Sequence, residues 1–130
     1  MAVVKSRRPE GALAIVKIAV SRVRALFASP LVCAHLFAPA ERRYCESARD
    51  AGQRYAARLA AKLAFRALSS SRRPPPWSRL RVGHGRLGAP ILLERRERWR
   101  ALRGAALTLS HDGDVAVAVL MVQPPAARPR

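Results

Sequence analysis

Acidic residues are scarce in this chain: 8 Asp and Glu stand against 25 Lys and Arg among 130 residues, leaving a formal charge of +17. Such a charge repels itself unless an anionic partner or one face of the molecule absorbs it. Phosphates, acidic proteins and anionic membrane surfaces are the partners it admits. Lysine is scarcer still, with only Lys5, Lys17 and Lys62. The positive charge is therefore almost all arginine set among alanine, a pattern that GC-rich codon usage yields without any binding role. Aromatic residues make up 5%, and they form no interleaved exposed set of the kind that stacks single-stranded bases, nor is there a Cys/His zinc spacing. Nucleic acid stays only as a secondary alternative.

Cysteine is nearly absent too. Cys33 and Cys45 stand alone, too few for a disulfide framework or a zinc knuckle, and read as buried free thiols. No apolar run reaches the ~20 residues of a membrane span, because Lys17 interrupts the best stretch, Gly11 to Val20. A soluble, cytoplasmic protein is expected. The first forty residues carry Glu10 as their only acid and look superficially like a transit peptide. The β-branched series Ile15, Val16, Ile18, Val20 fits a strand better than an amphipathic helix.

Half the residues are apolar, and a chain of this length supports one core, so a single domain over 1–122 is expected with a Pro/Arg-rich disordered tail over 123–130. Leu13 to Val20 reads as a strand leading into a helix over Ser21–Phe27, which Ser29-Pro30 breaks. A short helix begins at Pro39, with proline in its first turn and Glu41 near its positive end. The alanine-rich segment from Asp50 to Leu68 is the clearest helix, with Tyr55, Leu59 and Leu63 at i+4 spacing. Consecutive prolines in the stretch 69–76 end it in an exposed loop. Trp77–Val82 and Ala89–Leu93 read as a hairpin around a Gly-rich turn, and Glu94–Arg103 as a short charged helix with Trp99 and Leu102 inward. Asp112-Gly113 between Leu107–His111 and Val115–Val122 is a strong hairpin signal. These elements make an α+β domain, a small antiparallel sheet packed on a long central helix.

Four segments, in order, resemble the small holo-acyl carrier protein synthases of the 4′-phosphopantetheinyl transferase superfamily. The stretch from Ala56 through Arg58 and Lys62 to Ala64 is similar to that family's A-A-R-F-A-A-K-E-A helix. Leu109-Ser110-His111-Asp112 resembles its S-L-S-H-D hairpin, Gly88-Ala89-Pro90 its G-R-P strand, and the segment from Phe37 through Glu41 to Tyr44-Cys45 its F-T-x-x-E-x-x-Y-C. The resemblance implies a 4′-phosphopantetheinyl transferase-like fold, usually a trimer with coenzyme A at the subunit interface. It also implies transfer of phosphopantetheine from coenzyme A to a serine of an acyl carrier protein, in fatty-acid or polyketide biosynthesis. In that reaction a magnesium ion offsets the diphosphate's growing charge and needs carboxylate ligands. At the two positions where the family supplies them this chain has Ala14 and Leu63, and Lys17 stands at the following Glu, so no metal ligand is assigned.

Three readings follow. One is a degenerate member that recognises coenzyme A or a carrier protein without the usual transfer. A second is an active transferase in which cations such as Lys62 and Arg66 replace the ion. The third is an enzyme with a new reaction on carrier-bound acyl chains. By resemblance Lys62 contacts the coenzyme's phosphates; otherwise it is a solvated helix residue. His111 sits where the family places a histidine near the coenzyme and is the acid–base candidate, although His-Asp at a hairpin also serves as a plain turn. Arg58 is coenzyme-facing or part of a trimer contact, and Ser110 offers a hydroxyl to hydrogen-bond a phosphate, against the alternative that a strand serine satisfies the backbone instead. Arg22, Arg24, Arg42 and Arg43, on the two short amino-terminal helices, are assigned to docking the acidic face of a carrier protein, against the alternative of a plain solvated surface.

Overall fold

The computed structural model describes residues 1–69 and 75–123. It is built from seven strands and four helices among those residues: β1 (Ala2–Arg8), β2 (Gly11–Ala19), α1 (Val20–Phe27), α2 (Pro30–Leu36), α3 (Pro39–Glu46), α4 (Ala51–Leu68), β3 (Leu80–His84), β4 (Pro90–Arg95), β5 (Trp99–Ala101), β6 (Ala105–Asp112) and β7 (Val115–Val122). Most of the loop expected over 69–76, and the tail beyond Gln123, lie outside the described residues. The fold is α+β as expected, but with two antiparallel sheets where one was anticipated. One sheet runs β1-β2-β7-β6 and the other β3-β4-β5.

The central helix α4 forms because its alanine-rich sequence has high helix propensity, and because Asp50 caps it, its carboxylate accepting from Gln53 N at 3.2 Å. Every residue from Tyr55 to Lys62 is buried, so the helix is enclosed on nearly all sides. Leu63, expected on the inner stripe, is half-buried at the core's margin. Strand alternation puts Ala14, Val16 and Ile18 of β2 and Ala116, Ala118 and Leu120 of β7 inward. All but Ala116 form one core with Tyr55, Leu59, Ala60, Ala61 and Ala64 of α4, while Ala116 packs with Val20, Ala56 and Ala57 in a second cluster. Small residues on both surfaces let the helix backbone approach the sheet.

The hairpin β6–β7 forms where Asp-Gly announced it, displaced by one residue. Asp112 still pairs with Val115, so the two-residue loop is Gly113-Asp114, with Gly113 at φ 56°. A two-residue hairpin loop needs that left-handed first position, which glycine adopts without strain. Asp114 then acts on α1: its carboxylate accepts from Ser21 N at 2.6 Å and from the Ser21 hydroxyl at 2.7 Å. The residue preceding α1 is Ala19, which has no capping group, so the hairpin supplies the cap. These bonds hold the Asp114 carboxyl below its ordinary range.

Three expectations change. The segment Glu94–Arg103 is not a helix: Glu94 and Arg95 finish β4, and β5 pairs back on it with Arg95 opposite Trp99. Glu, Arg and Leu favour helix locally, but the free ladder edge of β4 and the Arg81 guanidinium over the Trp99 ring, 4.8 Å from its centroid, hold the segment extended. A further helix, α2, follows Ser29-Pro30, where only a break was expected. Proline sits at its first position, and the Ser29 hydroxyl accepts from Val32 N at 3.4 Å. The amino terminus adds strand β1, whose register puts Val4 opposite Ile15 and Lys5 opposite Ala14.

Candidate functional site

Arg58, Lys62 and Arg66 recur every four residues and so share one face of α4. Each is engaged. Lys62 is fully buried, at 0% exposure, and pairs with Glu41, itself 1% exposed. Its Nζ donates to Glu41 Oε1 at 2.7 Å, to Leu36 O at 2.6 Å and to Trp77 O at 3.3 Å. Glu41 Oε1 also accepts from Ala38 N at 2.9 Å, and Oε2 from Val82 N at 2.9 Å. One buried ion pair thus ties α2, α3, β3 and α4 together. Burial pulls the Lys62 ammonium below its ordinary value, and Glu41 opposes that shift. The solvated-helix alternative for Lys62 is overturned by this burial. Within the protomer its three donors are spent on protein oxygens.

Arg58 lies 4.3 Å and Arg54 4.1 Å from the Tyr44 ring centroid, and Arg58 Nη2 is 3.3 Å from His84 Nε2. His84 in turn packs on Tyr44, with centroids 4.3 Å apart. Burial first, and then the Arg58 and Arg54 charges, lower the His84 pKa from its ordinary value. This cluster joins α3, α4 and β3 and was missed in the sequence, where His84 read as a turn residue. The Y-C pair at Tyr44-Cys45 was its only signal. Arg66 covers the Trp77 ring at 3.7 Å. Cys45 is buried and its thiol pushed up to about 12 by desolvation, which makes it inert at neutral pH.

His111 and Ser110 lie at the far end of β6, both exposed. Alternation separates them. His111 pairs with Ala116, which is buried on the α4 side, whereas Ser110 pairs with Val117 on the opposite face of the sheet. The two do not converge on one ligand within a protomer. Arg22 and Arg24 lie exposed on α1, and Arg24 is bound to Asp50 at 3.1 Å. Arg42 and Arg43, on α3, line a cavity to which α1 contributes nothing. The four arginines therefore divide into two pairs.

Ala14 is fully buried, and its cross-strand neighbours are Lys5 and Leu120. Neither a methyl group nor the isobutyl group of Leu63 can ligate a hard cation. The acids Glu41, Glu46, Asp50 and Asp114 are committed to Lys62, the Tyr55 hydroxyl, Arg24 and Ser21. Among the described residues no three His, Cys, Asp or Glu gather as a metal site. The donor set here does not fit a magnesium ion.

No protein-family model matches the chain. It is 43% identical over 100 residues to a holo-[acyl-carrier-protein] synthase of Trichlorobacter lovleyi, covering 69% of this chain and 77% of the relative. It is 38% identical over 122 residues to the enzyme of that name from Anaeromyxobacter dehalogenans strain 2CP-C, covering 80% and 88%. Among solved structures, the Chronobacterium ammoniagenes ACPS-CoA complex superposes with a TM-score of 0.66 at 23% identity, over 85% of this chain and 95% of that one.

Proposed function

The chain belongs to the holo-[acyl-carrier-protein] synthase family, and from that premise we propose that it recognises coenzyme A and an acyl carrier protein while having lost the magnesium-dependent phosphopantetheinyl transfer. The observation that carries this reading is the pair Ala14 and Leu63, one sealed in the core and the other at its margin. Removing the ion that offsets diphosphate charge costs several kcal/mol in the transition state, and so orders of magnitude in rate. The helices and hairpin that carry the family's other motifs remain in place around α4.

His111 is the acid–base group on the α4 side of the hairpin, and Arg58, 4% exposed and stacked on Tyr44, is the cation assigned to a phosphate of coenzyme A. Lys62 acts as a positioning residue, fixing Glu41 and with it α3 and β3. The exposed pair Arg22 and Arg24 on α1 offers an acidic carrier protein a docking surface whose attraction weakens as salt rises. Assembly as a trimer is supported by the outer face of the four-stranded sheet. There Val4 at 62% and Met121 at 54% exposure share a face with the partly exposed Leu13, Ile15, Val117 and Val119. The test is calorimetric titration with coenzyme A, in parallel for Arg58→Gln. Binding by the parent that weakens in the variant, without conversion of a carrier protein, is expected. No measurable binding overturns the reading.

One observation favours a second reading, in which a cation replaces the metal. Lys62 and Arg66 are occupied, but Lys5 stands opposite Ala14 on the same face of the sheet, beside the position where the family's carboxylate holds its ion. Conversion of a carrier protein that survives EDTA and disappears in Lys5→Met would establish it.

A further inference from the structure

A cavity of about 930 Å³ opens between the α2–α3 corner, the 3₁₀ turn Trp77–Arg79, β3 and the β4–β5 turn. Among the described residues seven arginines line it, including Arg42 and Arg43 from α3, Arg79 and Arg81 beside β3, and Arg95 and Arg98 across the opening, against a single acid, Glu97. Of the seven, only Arg96 has a carboxylate within 4 Å among the described residues, Glu94 at 3.8 Å. Arg42 Nε and Arg81 Nε are shielded from solvent and have no hydrogen-bond partner among the described residues, a state they share with Arg58 Nε and Arg66 Nε outside the cavity. A buried guanidinium donor left unmade costs free energy that an anion would recover. The walls are held independently of any ligand, because Glu41 fixes Ala38 and Val82 while Lys62 fixes Leu36 and Trp77. Trp99 backs Arg81 at 4.8 Å.

We propose that this cavity binds the oligophosphate group of a small molecule, at a site separate from that of coenzyme A. Planar guanidinium forks match phosphate oxygens two at a time. The volume is that of a small-molecule site, and the charge is gathered in a concavity, whereas a nucleic-acid duplex needs an extended basic stripe. Like charges crowded here repel one another, and one ligand carrying several negative charges relieves all of them together. The inference does not depend on whether the transfer reaction survives.

The experiment is calorimetric titration of the full chain with tripolyphosphate at physiological salt. A single site is expected, weakened about tenfold or more in Arg81→Gln and in Arg42→Gln through loss of charge-assisted bonds. Arg8→Gln, on the distant strand β1, removes the same net charge and leaves the affinity unchanged. Arg43→Gln is exposed and does not threaten folding, so it weakens binding even if the other two variants are unstable. Saturating coenzyme A leaves the titration as it was. Equal weakening by Arg8→Gln would reduce the effect to net charge, and competition by coenzyme A would make this the coenzyme's own site; either result overturns the proposal.

Discussion

The two sides of α4 have been treated differently. Toward α3 and β3 the helix presents Arg58, Lys62 and Arg66: Lys62 and Glu41 are paired and sealed from solvent, and the two guanidinium groups stack on Tyr44 and Trp77, although their Nε atoms have no hydrogen-bond partner among the described residues. Toward the four-stranded sheet it presents alanines against Ala14, Ala116 and Ala118, and under the proposed function this is where a carboxylate of the family has been lost. The side that holds the fold together keeps its charged residues because removing one partner of a buried pair strands the other. Under that proposal the sheet side carries no such penalty, since a carboxylate and its metal can be lost together for apolar packing. The difference teaches that structural and catalytic charge are under separate physical constraints, even on one helix.

The largest effect should come from breaking the retained pair. Glu41→Ala leaves the Lys62 ammonium buried without its counter-charge and frees the Ala38 and Val82 amides, so urea unfolding should show a loss of about 3–5 kcal/mol. Adding Lys62→Met to that variant should recover part of the loss, because the charge that was stranded is then gone. A loss below 1 kcal/mol in Glu41→Ala, on the order of a surface pair, would remove the contrast between the two sides.

Rebuilding the lost side comes next. Ala14→Asp places a carboxylate in a fully buried position and should cost roughly 1–3 kcal/mol without metal. Combined with Leu63→Glu, it should create magnesium binding seen by calorimetry, with a rise in Tm on adding the ion that chelation reverses. The parent should show neither response.

A smaller effect is expected where the partnered side reaches the surface. Tyr44→Leu removes the ring shared by Arg54 and Arg58 and should lower stability by about 1 kcal/mol in the same unfolding assay. The smallest effect is a pH dependence. The His84 pKa is lowered in the fold from 6.5, so the unfolded chain binds more protons below that value, and stability should fall as the pH drops through 6.5. His84→Gln should flatten this slope in thermal unfolding followed across that window.

Much of this arrangement was legible in the sequence, and the parts that were not share a cause. Helix α4 showed itself through alanine and i+4 spacing, and the hairpin β6–β7 through Asp112-Gly113, because both depend on neighbours in the chain. The pairing of Lys62 with Glu41 spans 21 residues and that of Arg58 with His84 spans 26, and neither spacing carries a periodic signal. What hinted at them was a lone lysine among arginines and a glutamate inside a motif. Glu94–Arg103 misled because its residues favour a helix in isolation, while the edge of β4 selects a strand. Strand β1 went unread since its seven residues are all exposed and carry no alternation of apolar and polar. Of the candidate site, the residue types at Ala14 and Leu63 could be read directly, but not that Ser110 and His111 face opposite ways or that Arg42 and Arg43 belong to a separate cavity.

The central claim is that charge has been kept for the fold and given up for the ion. It is tested most directly by the intact mass of an apo acyl carrier protein incubated with this protein, coenzyme A and magnesium, with and without EDTA. The account predicts no phosphopantetheine mass gain in either condition, although coenzyme A binds in a parallel titration. A full mass gain that EDTA abolishes would contradict it, since the metal-dependent reaction would then have survived the loss of both carboxylates.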